Sequence, residues 1–244
     1  MFRQYFLRLK RAFTLAEVLI TIGVIGVVAA ITIPSLVTSY QKRMTVNRLK
    51  GSYSKLAQAL EAASEDYGPV SDWEYDLNDS VYDSQKFQEK YQNALTGIVQ
   101  QRIIPYAKVI EDCGLNCPQR AKLKICSLSG VCSKQNQRYW TYTIYLADGS
   151  CWEFMVDNID GKLTTLRIYI DINGEGKPNV FGRDIFVVGL NGSVHLEGFS
   201  SKRESLLGTC RTCCSKESGD YAGYSCGGLI QRDGWQIMPD YPWK

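Results

Sequence analysis

One uninterrupted apolar run sets the terms for this chain. From Phe13 to Ile33 it reads FTLAEVLITIGVIGVVAAITI, 21 residues that carry a single charge, Glu17. At about 1.5 Å of rise per residue a helix of that length reaches across roughly 30 Å of hydrocarbon. The run follows Met1 to Ala12, which hold Arg3, Arg8, Lys10 and Arg11 and no acid. On hydropathy alone the pattern fits a plain membrane anchor or an uncleaved signal. An ordinary secretory signal has a shorter apolar core and a small-residue cut after it. Ala29-Ala30 could imitate that cut, but the helical pattern continues past it without a break.

Glu17 asks for a further explanation. A carboxylate inside a bilayer costs on the order of 3 kcal/mol or more, so it has a partner and a role. No basic residue lies between Phe13 and Tyr40 to pair with it. A protonated carboxyl, a neighbouring chain or a free amine remain. An amino terminus freed by cutting before Phe13 would be such an amine, one helical turn away.

Arg11-Ala12 followed by Phe13-Thr14-Leu15-Ala16-Glu17-Val18-Leu19 resembles the leader and cleavage site of type IV prepilins and type II secretion pseudopilins. The resemblance covers about 25 residues in its basic, apolar and Glu arrangement. It implies that a membrane peptidase cuts between Ala12 and Phe13 on the cytoplasmic side and methylates the new terminus. It also implies that Glu17 registers an incoming subunit against its neighbour, and that the stretch from Gly23 and Gly26 to Pro34 loosens on assembly. Pro34 lacks the amide that a helix bond needs and is expected to bend or locally melt the helix. Two departures stand out. Ala12 occupies the position where the family usually has Gly, and Ala16 the position of a bulky aliphatic residue. Positive charge is nearly balanced across the run, with Lys42, Arg43, Arg48, Lys50 and Lys55 on the far side. The orientation with the amino terminus inside therefore rests on the resemblance.

Beyond Pro34, a second helical stretch is expected to about Asp66. Val46, Leu49, Tyr53, Leu56, Leu60 and Ala63 recur at spacings of three and four and form one apolar stripe. Tyr67-Gly68-Pro69 ends it. Eight acids follow between Glu61 and Asp83 with no base among them. That run is either a solvated loop or a surface that meets the basic segment Lys42 to Lys55 of another copy. A short helix is expected from Ser84 to about Gln100, with Phe87, Tyr91, Ala94, Leu95 and Ile98 on one face.

Further on the period changes to two. Tyr139 to Ala147, Cys151 to Val156, Leu163 to Ile172, Asp184 to Leu190 and Ser193 to Phe199 read as five strands, with turns at Asp148-Gly149 and Asn191-Gly192. The fold expected is α+β: a long amino-terminal helix whose first half spans a membrane, packed on an antiparallel sheet of about five strands. This is also the plan of the resembled family. The organisation expected is a leader over 1–12, a membrane or filament-core helix over 13–34, its amphipathic continuation over 35–66, and a globular extracytoplasmic head over 67–244.

Cysteine dominates the chemistry. Cys113, Cys117, Cys126, Cys132, Cys151, Cys210, Cys213, Cys214 and Cys226 are nine, many for a reducing compartment. Cys210-Arg211-Thr212-Cys213 could be a redox pair or half of a zinc site with Cys113 and Cys117. Outside the cytoplasm structural disulfides are the better fit, with local closure of Cys126 on Cys132 and one thiol left over. The turn from Asp171 to Asp184 is rich in Asp, Asn and Gly. It lacks the Glu of an EF-hand, but it looks like a loop of pilin-like proteins, some of whose relatives hold calcium between strands. Asp171, Asn173 and Asp184 are the ligands that reading selects; the alternative is a plain turn. His195, the single histidine, has no nucleophile motif beside it and reads as structural. The aromatic close, Trp235 to Trp243, is expected to pack on the sheet.

Without the basic leader, acids and bases nearly cancel, which argues against a general nucleic-acid binder. The functional expectation is a non-enzymatic subunit of a type IV pilus or secretion pseudopilus. The partners implied are other copies and related pilin-like subunits, the prepilin peptidase, an inner-membrane platform with its ATPase, and lipid before assembly. DNA would be a partner only of a competence-type pilus. The location implied is the bacterial inner membrane, single-pass with the head periplasmic or extracellular, and then the filament. The competing expectation is a monomeric, membrane-anchored adhesin or binding protein with a disulfide-rich head.

Overall fold

A computed structural model describes residues 14–73, 85–134, 141–159, 162–190 and 193–243. It divides into two units, Met1–Lys42 and Arg43–Lys244.

Helix α1, Leu15–Tyr67, is one helix of 53 residues. In the first unit its side chains have nothing to pack on: Leu15, Ile20, Ile25, Ile31 and Leu36 are 66–81% exposed. An 18-residue window of α1 has a mean hydropathy of 2.4, long and apolar enough to cross a membrane. The helix runs through Pro34 without interruption, so the expected local melting is absent from the free chain. The Thr38 hydroxyl donates to the Pro34 carbonyl at 2.9 Å, as a helical Thr does one turn on.

In the second unit α1 buries Val46, Leu49, Ser52, Leu56, Ala59, Leu60 and Ala63. These fall on the stripe expected from the spacing. Each fully buried Leu contributes roughly 1.5–3 kcal/mol. Ser52 is a polar residue on that stripe, and it is satisfied: the Trp152 indole N–H donates to its Oγ at 2.8 Å. The helix stops at Gly68, whose φ of 77° is the left-handed conformation that a Gly takes cheaply after a helix end.

Helix α2, Gln85–Arg102, buries Tyr91, Leu95, Ile98 and Val99. Of the expected face, Ala94 is half-buried, and the side chain of Phe87 lies outside the described residues. The Arg102 guanidinium lies over Tyr67 and Trp73, 5.2 Å from each ring, and ties the ends of the two helices together.

The sheet has six antiparallel strands in the order β1-β4-β5-β6-β7-β8. They are β1 Val109–Leu115, β4 Tyr142–Leu146, β5 Cys151–Ile159, β6 Lys162–Asp171, β7 Ile185–Leu190 and β8 Val194–Leu196. β2 Lys124–Cys126 and β3 Cys132–Lys134 form a separate two-stranded ribbon. The sequence reading misses this ribbon and, within the six-stranded sheet, the edge strand β1. Its pairing with β4 shifts register twice, which erases the alternation that marks a strand. The turn Asn191-Gly192 lies outside the described residues, although β7 and β8 pair as expected.

Register sorts the sheet into two faces. Ile144, Trp152 and Ile170 lie opposite one another, as do Tyr142, Phe154 and Ile168. With Phe186 and Val188 they meet the stripes of α1 and α2 in the main core. The other face is covered too. Tyr169, Ile185 and Val187 pack there with Ile125, Phe181 and Tyr224 in a second core.

Three short helices complete the head: α3 Pro118–Ala121, α4 Arg203–Leu206 and α5 Cys226–Arg232. α5 sits against β8 through Gly227 and Gly228. A Cβ on Gly228 would meet the Glu197 carbonyl oxygen at 2.4 Å, so only Gly fits. The aromatic close packs as expected, with Tyr241 and Trp243 in the main core. The Tyr241 hydroxyl donates to the Gly182 carbonyl. Arg203 holds this tail by bridging Asp233 and Asp240.

Candidate functional site

The amino-terminal end of α1 carries the first set of predicted site residues. Ala12 and Phe13 lie outside the described residues. Glu17 sits in the first turn and forms a capping box with Thr14. The Thr14 amide and hydroxyl each donate to Glu17 Oε2 at 2.9 Å, and the Glu17 amide donates to Thr14 Oγ1 at 3.2 Å. The carboxylate thus also faces the positive end of the helix dipole. The Thr-x-x-Glu spacing that announces this box is legible in the sequence. The arrangement holds Glu17 in one rotamer at the helix start, with its carboxylate exposed and able to accept from a further donor.

The second set is the carboxylate turn. Asp171 ends β6 opposite Cys151, and both are fully buried. Glu153, two residues along β5 on the same face, is buried as well. The group between them is Arg120 of α3. Its Nε and Nη2 donate to the two oxygens of Glu153 at 3.2 and 3.3 Å. Its Nη1 donates to Asp171 Oδ2 at 2.7 Å and to the Gly174 carbonyl at 3.0 Å. The other Asp171 oxygen accepts the Asn173 amide at 3.2 Å. Both Asp184 oxygens accept backbone amides, of Asn179 and Val180, at 2.7 Å each.

This geometry shows what the residues of the calcium expectation do in the chain itself. Asp171 and Asp184 have their oxygens engaged by the chain's own donors, and Asn173 donates its side-chain amide to the Lys177 carbonyl at 3.1 Å while its Oδ1 is buried with no partner among the described residues. A guanidinium already supplies the positive charge at Asp171, and a divalent cation there would be repelled by it. Among the described residues no group of three or more His, Cys, Asp or Glu is placed to hold a metal.

The arrangement does structural chemistry. Burial pushes Asp171 up to about 7, against the downward pull of Arg120. Burial likewise pushes the Cys151 thiol well up, only partly offset by Arg120. Burial would pull Arg120 down, but Glu153, Cys151 and Asp171 hold it charged and raised. One cation and two carboxylates thus fasten α3 to the sheet and to the turn after β6. No motif announces Arg120, because its partners are 33 and 51 residues away.

The cysteines pair as Cys113–Cys117, Cys126–Cys132, Cys210–Cys213 and Cys214–Cys226, and Cys151 is the free thiol. The pairing of Cys126 with Cys132 and the odd thiol agree with expectation. The CxxC closes on itself, and Cys113 closes on Cys117, which leaves no zinc site between them. Cys113–Cys117 also bends the chain from β1 into α3, and so delivers Arg120 to the sheet. The His195 ring nitrogen Nδ1 lies 3.0 Å from the Ser193 carbonyl, a local contact within its own turn.

A family model described as a family of unknown function, DUF6613, matches residues 35–244. No curated protein and no solved structure matches the chain.

Proposed function

The chain belongs to the DUF6613 family, and we propose that it is a pilin-like structural subunit, stored in a membrane and assembled into a helical filament. The observation that carries this reading is the division of labour within α1. Its first half presents apolar side chains on all sides and buries none of them. Its second half is amphipathic and packs on a sheet stapled by disulfides. So much bare apolar surface needs lipid before assembly and neighbouring helices after it. Glu17, held at the helix start by Thr14, is the one charge in that surface and would be matched by the freed amine of Phe13 in a neighbour.

In this reading a peptidase cuts between Ala12 and Phe13 and methylates the new terminus. A platform protein and its ATPase extract the processed subunit from the inner membrane. The chain itself catalyses nothing, and its head faces outward. The filament is a pilus or a secretion pseudopilus; DNA would enter only as cargo of the former. Four disulfides support exposure to an oxidising compartment.

Glu17→Ala in the full chain in its native cell tests the proposal. Filaments should be lost by electron microscopy while the membrane-held subunit accumulates. Filaments unchanged in number, or a function that survives the substitution in single membrane-anchored chains, would replace this reading with that of an anchored binding protein.

A further inference from the structure

A groove runs along one flank of α1 within the head. Two adjoining cavities form it, of about 320 and 260 Å³. The first is lined by Lys55, Gln58, Tyr106, Lys108 and Trp152, the second by Asn47, Arg48, Gly51 and Ser150. Lys55 and Asp148 line both and join them. The charge is lopsided. Asp148 is the one acid in the lining, and Lys55 takes it at 2.5 Å. Arg48 and Lys108 are exposed and make no ion pair among the described residues.

The complementary surface lies further along the same helix. Glu61 and Glu65 are one turn apart on its exposed side, and Asp72 follows after the helix ends. All three are exposed and make no ion pair among the described residues. Asp66 is different, because it accepts the Tyr106 hydroxyl of its own chain at the edge of the groove. Arg48 and Lys55 cannot reach Glu65 within one molecule, since all three are carried by the same rigid helix. Lys55 and Glu65 are 10 residues apart and Arg48 and Glu61 are 13, or roughly 15–20 Å along the axis.

We infer that this groove receives the Glu61–Glu65 face of a second copy of the chain, shifted by roughly 15–20 Å along α1. The inference rests on the filament reading and names the contact that would repeat in it. The two surfaces differ, so the contact is heterologous. Every copy that fills one groove still offers an empty groove and a free acidic face, and the stack stays open-ended. Lys108 and Arg48 meet Glu65 and Glu61, and the apolar floor at Trp152 and Tyr106 accepts the stems of those side chains.

The test uses the full chain in its native cell. One copy carries Lys108→Cys, a second, differently tagged copy carries Glu65→Cys, and a short bis-maleimide joins them. A product bearing both tags is expected from co-expression, and none from either variant alone. Adding Arg48→Glu to the first copy should abolish the product, and adding Glu61→Lys to the second should bring it back. Products joining two Lys108→Cys copies would mean a symmetric contact and would overturn the inference. So would the absence of mixed product in cells whose filaments are plain by electron microscopy, and that result would leave the filament reading standing. Absence of both filaments and product would overturn the two together.

Discussion

Replacing Arg120 by methionine removes the guanidinium that bridges two buried carboxylates. Glu153 and Asp171, each fully buried and diagonal to one another on the sheet, then lose the guanidinium they share. Breaking a buried pair on one side costs about 3–5 kcal/mol, because the remaining charge is neither paired nor hydrated. At about 2–4 °C per kcal/mol for a domain of this size, the melting temperature should fall by roughly 6–20 °C at pH 7.5. The deficit should also depend on pH. Burial pushes the Asp171 carboxyl up to about 7 in the folded chain, above its ordinary value of 3.8. A raised carboxyl contributes stability that is fully present below the unfolded pKa and is lost as pH rises through the folded one. Without Arg120 the same carboxyl is raised further, so the variant loses more than the native chain as pH climbs. The deficit should therefore shrink at pH 5 and grow toward pH 8. Thermal unfolding of the detergent-solubilised full chain, followed by fluorescence of the buried Trp73 and Trp152, reads this directly. A second variant guards the interpretation: Arg120→Met with Glu153→Gln and Asp171→Asn removes the stranded charges and should recover most of the loss. A deficit under about 1 kcal/mol at pH 7.5, of the size expected for an exposed pair, would refute the reasoning. So would a deficit that does not change with pH.

The remaining predictions concern disulfides and glycines. Cys214→Ala with Cys226→Ala opens a bridge of sequence separation 12 whose sulfurs are buried in the main core, and should cost about 3 kcal/mol by denaturant unfolding. The same change at Cys210 and Cys213, separation 3 and partly exposed, should cost roughly half of that. Gly228→Ala places a methyl 2.4 Å from the backbone of Glu197 and Phe199 and should destabilise by roughly 1–3 kcal/mol. Gly97→Ala, in α2 with no atom within 4 Å of the new methyl, should instead stabilise by roughly 0.5–1 kcal/mol.

Periodic features were legible in the amino-acid order, and contacts between distant residues were not. The stripe Val46, Leu49, Leu56, Leu60 and Ala63 follows from spacing, because a helix repeats every 3.6 residues wherever it packs. The strands from Tyr142 to Leu196 were legible through alternation and the turn at Asp148-Gly149. β1 was not, because its two bulges break the alternation and Gly114 adopts a positive φ within it. Cys126 and Cys132 are close enough in sequence to suggest their own bridge, whereas Cys214 and Cys226 meet only once α5 has packed. The turn after β6 shows the same limit in the site. Asp171, Asn173 and Asp184 look like metal ligands as long as their neighbours are unknown. The cation beside Asp171 is Arg120, carried by α3 directly after the Cys113–Cys117 bridge. Glu17 was singled out for its cost in lipid, and Thr14 three residues before it supplies its first partner.

The mass of the amino-terminal peptide, taken from the full chain in its native membranes, tests the account most directly. The account predicts a peptide that begins at N-methylated Phe13, the product of a prepilin-type cut after Ala12. A peptide that begins at Met1, or after Ala30, would contradict it and leave an anchored or secreted binding protein in its place.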